Sequence, residues 1–159
     1  MLMISLIVTL CAIVIHLVLM KKPRSLNNVL EVVLLYLLFI LFGLGTFLAG
    51  LMHIFNGPAT AAMIGWAPGS PFQFEVGAAD VAFGLLGILC LFVRGNFWPA
   101  TIVANSLFLL IAFAGHVHDY LSAGNAAAYN IGPMIIFNDL LLPLVLIGLY
   151  VWWVRSITE

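Results

Sequence analysis

Charge is what this sequence has least of. Five Lys and Arg and six Asp and Glu residues are spread over 159 positions, of which 65% are hydrophobic. A soluble surface carries about 25–35% charged residues, so a water-soluble globular domain is excluded. The mean hydropathy of +1.24 instead describes a chain whose solvent is lipid. A net charge of -1 leaves no basic stripe for nucleic acid. Cysteine is nearly absent: Cys11 and Cys90 lie in separate apolar runs at different depths, so neither a disulfide framework nor a CxxC redox pair is expected. Gly69-Ser70 lacks the lysine of a phosphate-cradling loop. No Ser, His and acid are spaced so as to place a nucleophilic triad. Met1 to Ser5 contains no basic residue, and the basic cluster follows the first apolar run. That order predicts a retained helix rather than a signal peptide.

Five apolar runs of about 20 residues account for most of the length. The first is read over Leu2–Met20, followed by the turn Lys21-Lys22-Pro23-Arg24. The second begins near Asn28, where Asn28-x-x-Glu31 reads as an N-cap with a reciprocal acid, and continues to about Phe55. Residues 56–73 are too short to span and too apolar for a free loop, which predicts an interfacial or re-entrant segment. Ser70, Pro71 and Gln73 form a helix-start pattern, opening a third run over Pro71–Phe92. The fourth is read over Phe97–Tyr120 and the fifth over Pro133–Val154, separated by a loop rich in Ala, Asn and Gly. The expected fold is an all-α polytopic membrane helix bundle, with about five transmembrane helices plus the short segment, and residues 1–159 forming a single transmembrane domain.

All five basic residues follow the first, third or fifth run. By the positive-inside rule those ends face the cytoplasm, giving an extracytoplasmic N-terminus, a cytoplasmic C-terminus and a multi-pass cell-membrane protein. Trp66 on the outer side, and Trp98, Trp152 and Trp153 on the inner, are expected at the interfacial belts. His53, Glu75, Asp80, His116, His118, Asp119 and Asp139 then fall at or just inside the outer face. An acid within the hydrocarbon region costs about 2.5–3.5 kcal/mol on insertion scales, so Asp80 and Asp139 are expected to face protein. Asp80 shares a helix face with Gly77, Gly84 and Gly87, which admits a close neighbour. Pro143 cannot donate to the carbonyl of Asp139 four residues earlier, and so frees an oxygen beside that carboxylate.

From these residues the candidate ligand-binding set is Trp66, Glu75, Asp80, Asn138 and Asp139. The candidate metal set is His53, Glu75, His116 and Asp119, a mixture of nitrogen and oxygen ligands suited to a divalent transition metal. His116 and Asp119, at i and i+3, are the better local pair, since His118 points about 200° away from His116. The same groups could instead exchange protons beside a quinone-like headgroup. The competing reading makes the outer layer an interhelical hydrogen-bond network of a non-catalytic accessory subunit, docked in a homo-oligomer or a larger membrane complex. His16, alone near the inner end of the first run, is expected to pack or snorkel rather than act.

The run Gly-Trp-Ala-Pro-Gly-Ser-Pro-Phe-Gln-Phe-Glu-Val-Gly over Gly65 to Gly77 resembles an uncharacterised family of small prokaryotic integral membrane proteins marked by Ser-Pro-Phe-Gln-x-Glu-x-Gly. The resemblance extends over His53, the His116 region and Asp139 before Pro143, and implies membrane topology without a mechanism. In size and hydropathy the chain is also similar to DoxX-like bundles, a family associated with quinone-linked oxidation.

Overall fold

The computed structural model describes residues 2–158, and among these the regular elements are helical. Helix α1 is Leu2–Leu19. Helix α2 runs over Leu26–Phe55, with a π-helical stretch at Leu37–Gly45. The short α3 is Gly57–Ile64, α4 is Phe72–Leu89, α5 is Phe97–Ala123 and α6 is the single turn Ala128–Ile131. The last helix, α7, covers residues 133–158, with a π-helical stretch at Ile136–Leu141 ahead of Leu142–Thr158. Four stretches are long and apolar enough to cross a membrane: Leu26–Phe55, Phe72–Leu89, Phe97–Ala123 and Ala128–Ile157. Helix α1, at 18 residues, rises about 27 Å, just under the roughly 30 Å of a hydrocarbon core. Its exposed side is a continuous apolar surface that includes Ile4, Val8, Val14 and Val18, as a lipid-facing helix requires.

Lipid tails are as apolar as Leu, so helices in a bilayer associate where their backbones can come close. Helices α2 and α4 meet in this way. A Cβ placed on Gly43 would sit 2.7 Å from the Ile88 amide, one on Gly50 would sit 2.6 Å from the Gly77 carbonyl, and one on Gly87 would sit 2.6 Å from the Gly43 Cα. A Cβ on Gly84 would collide with the backbone of Phe47. The glycine face expected around Asp80 is thus the seam with α2, and Gly50 gives Asp80 its room, since a Cβ there would lie 2.8 Å from the Asp80 Cβ. Gly45 on α2 faces away from this seam: the nearest atom to a Cβ placed there is a carbonyl of its own helix at 3.6 Å.

The apolar core fills the half of the bundle nearer the basic residues, where Leu34, Leu38, Phe42, Trp98, Ile102 and Leu146 are almost completely buried. Trp98 therefore departs from the expected belt position. It is 1% exposed, its indole donates to the Cys90 carbonyl at 3.0 Å, and it packs against Trp153. Trp152 is half exposed, as a belt residue should be. The expected cap at Asn28 is also corrected. Ser25 is the N-cap, its Oγ accepting from the Asn28 amide at 3.4 Å, while Glu31 pairs with Arg94 at 2.8 Å. At the start of α4, Ser70 Oγ accepts from the Phe72 amide at 3.2 Å, but the Gln73 side chain turns to His53 instead of closing a capping box.

Substitution at the seam tests this packing. Gly50→Val should destabilise the protein by about 1–3 kcal/mol or more, because backbone and not a flexible side chain stands in the way. Gly45→Ala should be tolerated, so thermal melts of the two variants in mild detergent should separate clearly.

Candidate functional site

The end of the bundle opposite the basic residues is where loop and helix side chains converge. Gly65 closes α3 in the left-handed region, φ 84°, the usual glycine stop for a helix. The Trp66 amide then bonds the Ala61 carbonyl at 2.9 Å, which sets the indole against α5. A side chain at position 65 would also strike the Asn125 amide group, so both the turn and the contact require glycine. The Trp66 indole N–H donates to Asp119 Oδ2 at 2.9 Å. The Asn125 amide donates to the same oxygen at 2.7 Å and to the Ile64 carbonyl at 2.9 Å. Asp119 thereby ties α3, α5 and the following loop together.

A second layer lies beneath it. Asn130, completely buried, donates to the Asn125 carbonyl at 2.8 Å and the His116 carbonyl at 3.4 Å. With its amide nitrogen so used, Asn130 Oδ1 accepts from His116 Nδ1 at 2.7 Å. That bond places a proton on Nδ1. The other nitrogen, Nε2, lies 4.0 Å from Asp139 Oδ2. The Trp66 ring is stacked on the imidazole, with centroids 5.6 Å apart and planes inclined by 13°.

Asp139 itself sits in the π-helical stretch of α7, where the Leu142 amide bonds the Phe137 carbonyl five residues back. Such local widening of a helix recurs at functional sites. Asp80 on α4 and Asp139 on α7 are 7% and 8% exposed, and the Asp139 carboxylate is close enough to act electrostatically on Asp80. Among the described residues neither carboxylate receives a hydrogen bond, and the His116 imidazole is the one titratable base in ion-pair range.

The predicted residues thus divide. His116, Asp119, Asp139 and Trp66 belong to one continuous network, and Asp80 adjoins it across the bundle. His53 lies apart, its Nδ1 sharing a 2.7 Å hydrogen bond with Gln73 Oε1. Glu75 is exposed and Asn138 half-buried, and neither side chain makes a hydrogen bond among the described residues. His116 and Asp119 do not pair as i, i+3 neighbours, because each has a partner from the 125–139 region or α3. Accordingly, no three His, Cys, Asp or Glu side chains among the described residues form a metal-holding group. Trp66, an aromatic that could wall a quinone slot, is taken up by stacking on His116 and by an edge contact with Phe72.

Sequence reading missed Asn125 and Asn130, which join the two layers, and the run of Asn and Ala after α5 was the available signal. Asn105 is fully buried, its amide donates to the Phe83 carbonyl at 3.4 Å, and its Oδ1, like the neighbouring Ser106 Oγ, has no partner among the described residues. His16 packs as expected, with Nδ1 3.1 Å from the Tyr36 hydroxyl.

Removing the shared acceptor should loosen the loop layer. Asp119→Ala removes the acceptor shared by the Trp66 indole and the Asn125 amide and should lower the melting temperature, with faster hydrogen exchange over residues 57–66 and 124–131. Glu75→Gln, which breaks no contact, should change neither the melting temperature nor the exchange pattern.

No curated protein and no solved structure matches the chain, so neither the shared motif nor the likeness to DoxX-like bundles gains support there. A family model does match, over residues 1–158. This multi-helix, apolar chain belongs to the family of unknown function DUF6790.

Proposed function

We propose that this multi-pass membrane protein binds an exchangeable hard cation between Asp80, Asp139 and the face of His116, admitted from the loop-bearing end of the bundle. The observation that carries this reading is the pair of buried carboxylates on two different helices with no hydrogen-bond donor to either among the described residues. Two such groups in a low-dielectric interior need a positive partner. All Lys and Arg residues lie in the sequence beyond the opposite ends of the helices, so the partner must be a proton or a bound cation.

The donor set decides the kind of cation. Carboxylate oxygens, and the Asp139 carbonyl that Pro143 cannot satisfy as an α-helical donor would, are hard oxygen ligands. A tightly caged transition metal would need converging imidazole or thiolate groups, and one imidazole 4.0 Å from a single carboxylate falls short of that. His116, clamped at Nδ1 by Asn130, holds its Nε2 4.0 Å from Asp139 Oδ2 and so borders the site. In this reading the loop end is extracytoplasmic, helix α1 is the fifth crossing, and α3 with Trp66 covers the site.

Thermal shift in mild detergent at fixed pH tests it. Sodium, potassium, magnesium and calcium salts would be compared at equal ionic strength, for wild type and for the Asp80→Asn/Asp139→Asn double variant. At least one cation should raise the wild-type melting temperature by several degrees and leave the double variant unmoved. The double variant should also be the more stable protein when no binding cation is present. An equal response of both proteins to every salt would remove the binding role and leave the acids as bundle contacts.

A further inference from the structure

At the opposite end of the bundle lies a cavity of about 290 Å³ between the α1–α2 turn and the α4–α5 turn. It belongs neither to the acid pair nor to its loop network. Its rim carries Lys21, Lys22 and Arg94, and its floor is apolar, formed by Met20, Val32 and Leu35. Glu31 also lines it, so the formal charge of the rim is +3 - 1 = +2 from Lys21, Lys22, Arg94 and Glu31.

Arg94 is held in place. Its guanidinium pairs with Glu31 at 2.8 Å and lies over the Trp98 ring, 4.9 Å from the centroid. A guanidinium has five N–H donors in a fixed fork, so one ion pair with Nη1 leaves donors for a second anion. Arg24 is not part of the rim, because it caps α1 by donating to the Leu17 and Val18 carbonyls at 3.1 and 3.5 Å. Asn28 and His16 complete the wall, the Asn28 amide fixed by the Pro23 carbonyl at 2.8 Å and His16 by Tyr36 at 3.1 Å. The ordered side chains thus brace the pocket, while the two exposed lysines are the mobile donors.

We infer that this pocket binds the phosphate headgroup of an anionic phospholipid. Basic pockets between helices at a membrane surface suit such headgroups. The apolar floor decides for a lipid over free phosphate. Met20, in the cavity wall, directly follows Val18 and Leu19 of α1, which are 62% and 72% exposed, so the apolar lining is continuous along the chain with an exposed apolar helix face that an acyl chain can follow. A free phosphate ion would gain nothing from that wall.

The whole protein in neutral-detergent micelles would be melted with added phosphatidylglycerol, with phosphatidylcholine, or with inorganic phosphate at matched ionic strength. Phosphatidylglycerol should raise the melting temperature by several degrees more than phosphatidylcholine, and inorganic phosphate should not reproduce the gain. The excess should vanish in Lys21→Gln/Lys22→Gln and persist in Lys21→Arg/Lys22→Arg, which keeps the charge. Equal effects of the two lipids, full replacement by inorganic phosphate, or an undiminished excess in the Gln variant would each overturn the assignment. None of these outcomes depends on Asp80 or Asp139, so this site and the cation site stand or fall separately.

Discussion

Everything at the polar end depends on two backbones touching. In a bilayer the hydrophobic effect does not press helices together, and packing of small residues must do so. Gly43 and Gly50 on α2 meet Gly77, Gly84 and Gly87 on α4 with no room for a Cβ at any of these five positions. That contact turns the Asp80 face of α4 inward, because Asp80 stands on the same face as the glycines and its Cβ lies beside Gly50. Without the seam, the carboxylate would be left to lipid, where it is costly. The seam therefore fixes half of the acid pair before any polar contact is made.

The other half is fixed from the loop side. Asp139 is carried on a widened turn of α7, and His116 is brought toward it by Asn130. Asn130 is in turn joined to Asn125, Asp119 and Trp66. The network is satisfied almost throughout at its outer edge and unsatisfied at its inner edge. Saturated hydrogen bonds hold the loops, whereas among the described residues the buried Asp80 and Asp139 carboxylates receive none. For the proposed cation site this gradient would give a rigid frame with open ligand positions. The deeper orphan atoms, Asn105 Oδ1 and Ser106 Oγ, mark the next polar position toward the middle of the bundle.

Much of this was legible in the chain, and the reasons differ by feature. Long apolar runs, few charges and basic residues after alternate runs are one-dimensional signals, so the helical bundle could be read directly. Asp80 among i, i+3 and i+4 glycines is also a local pattern, which is why its inward orientation and close neighbour helix were expected. Trp98 was misplaced because belt position depends on which way a ring points, and its face of α5 turns into the core under Trp153. Glu31 has two chemically reasonable partners, a helix start three residues away or an arginine 63 positions on, and tertiary contact chose the latter. The metal set failed to assemble because spacing can place His53 and His116 at one depth but not on facing sides of one cavity. Asn125 and Asn130 were missed since a loop asparagine has no periodicity to betray its partner.

The most direct test of the central claim is anomalous diffraction from crystals of the protein grown in lipid and soaked in rubidium or strontium salts. The account predicts a peak between the Asp80 and Asp139 carboxylates, within coordination distance of both, that is missing when both residues are asparagine. Ordered maps with no peak there, and the two carboxyl groups hydrogen-bonded to each other or to His116, would contradict it.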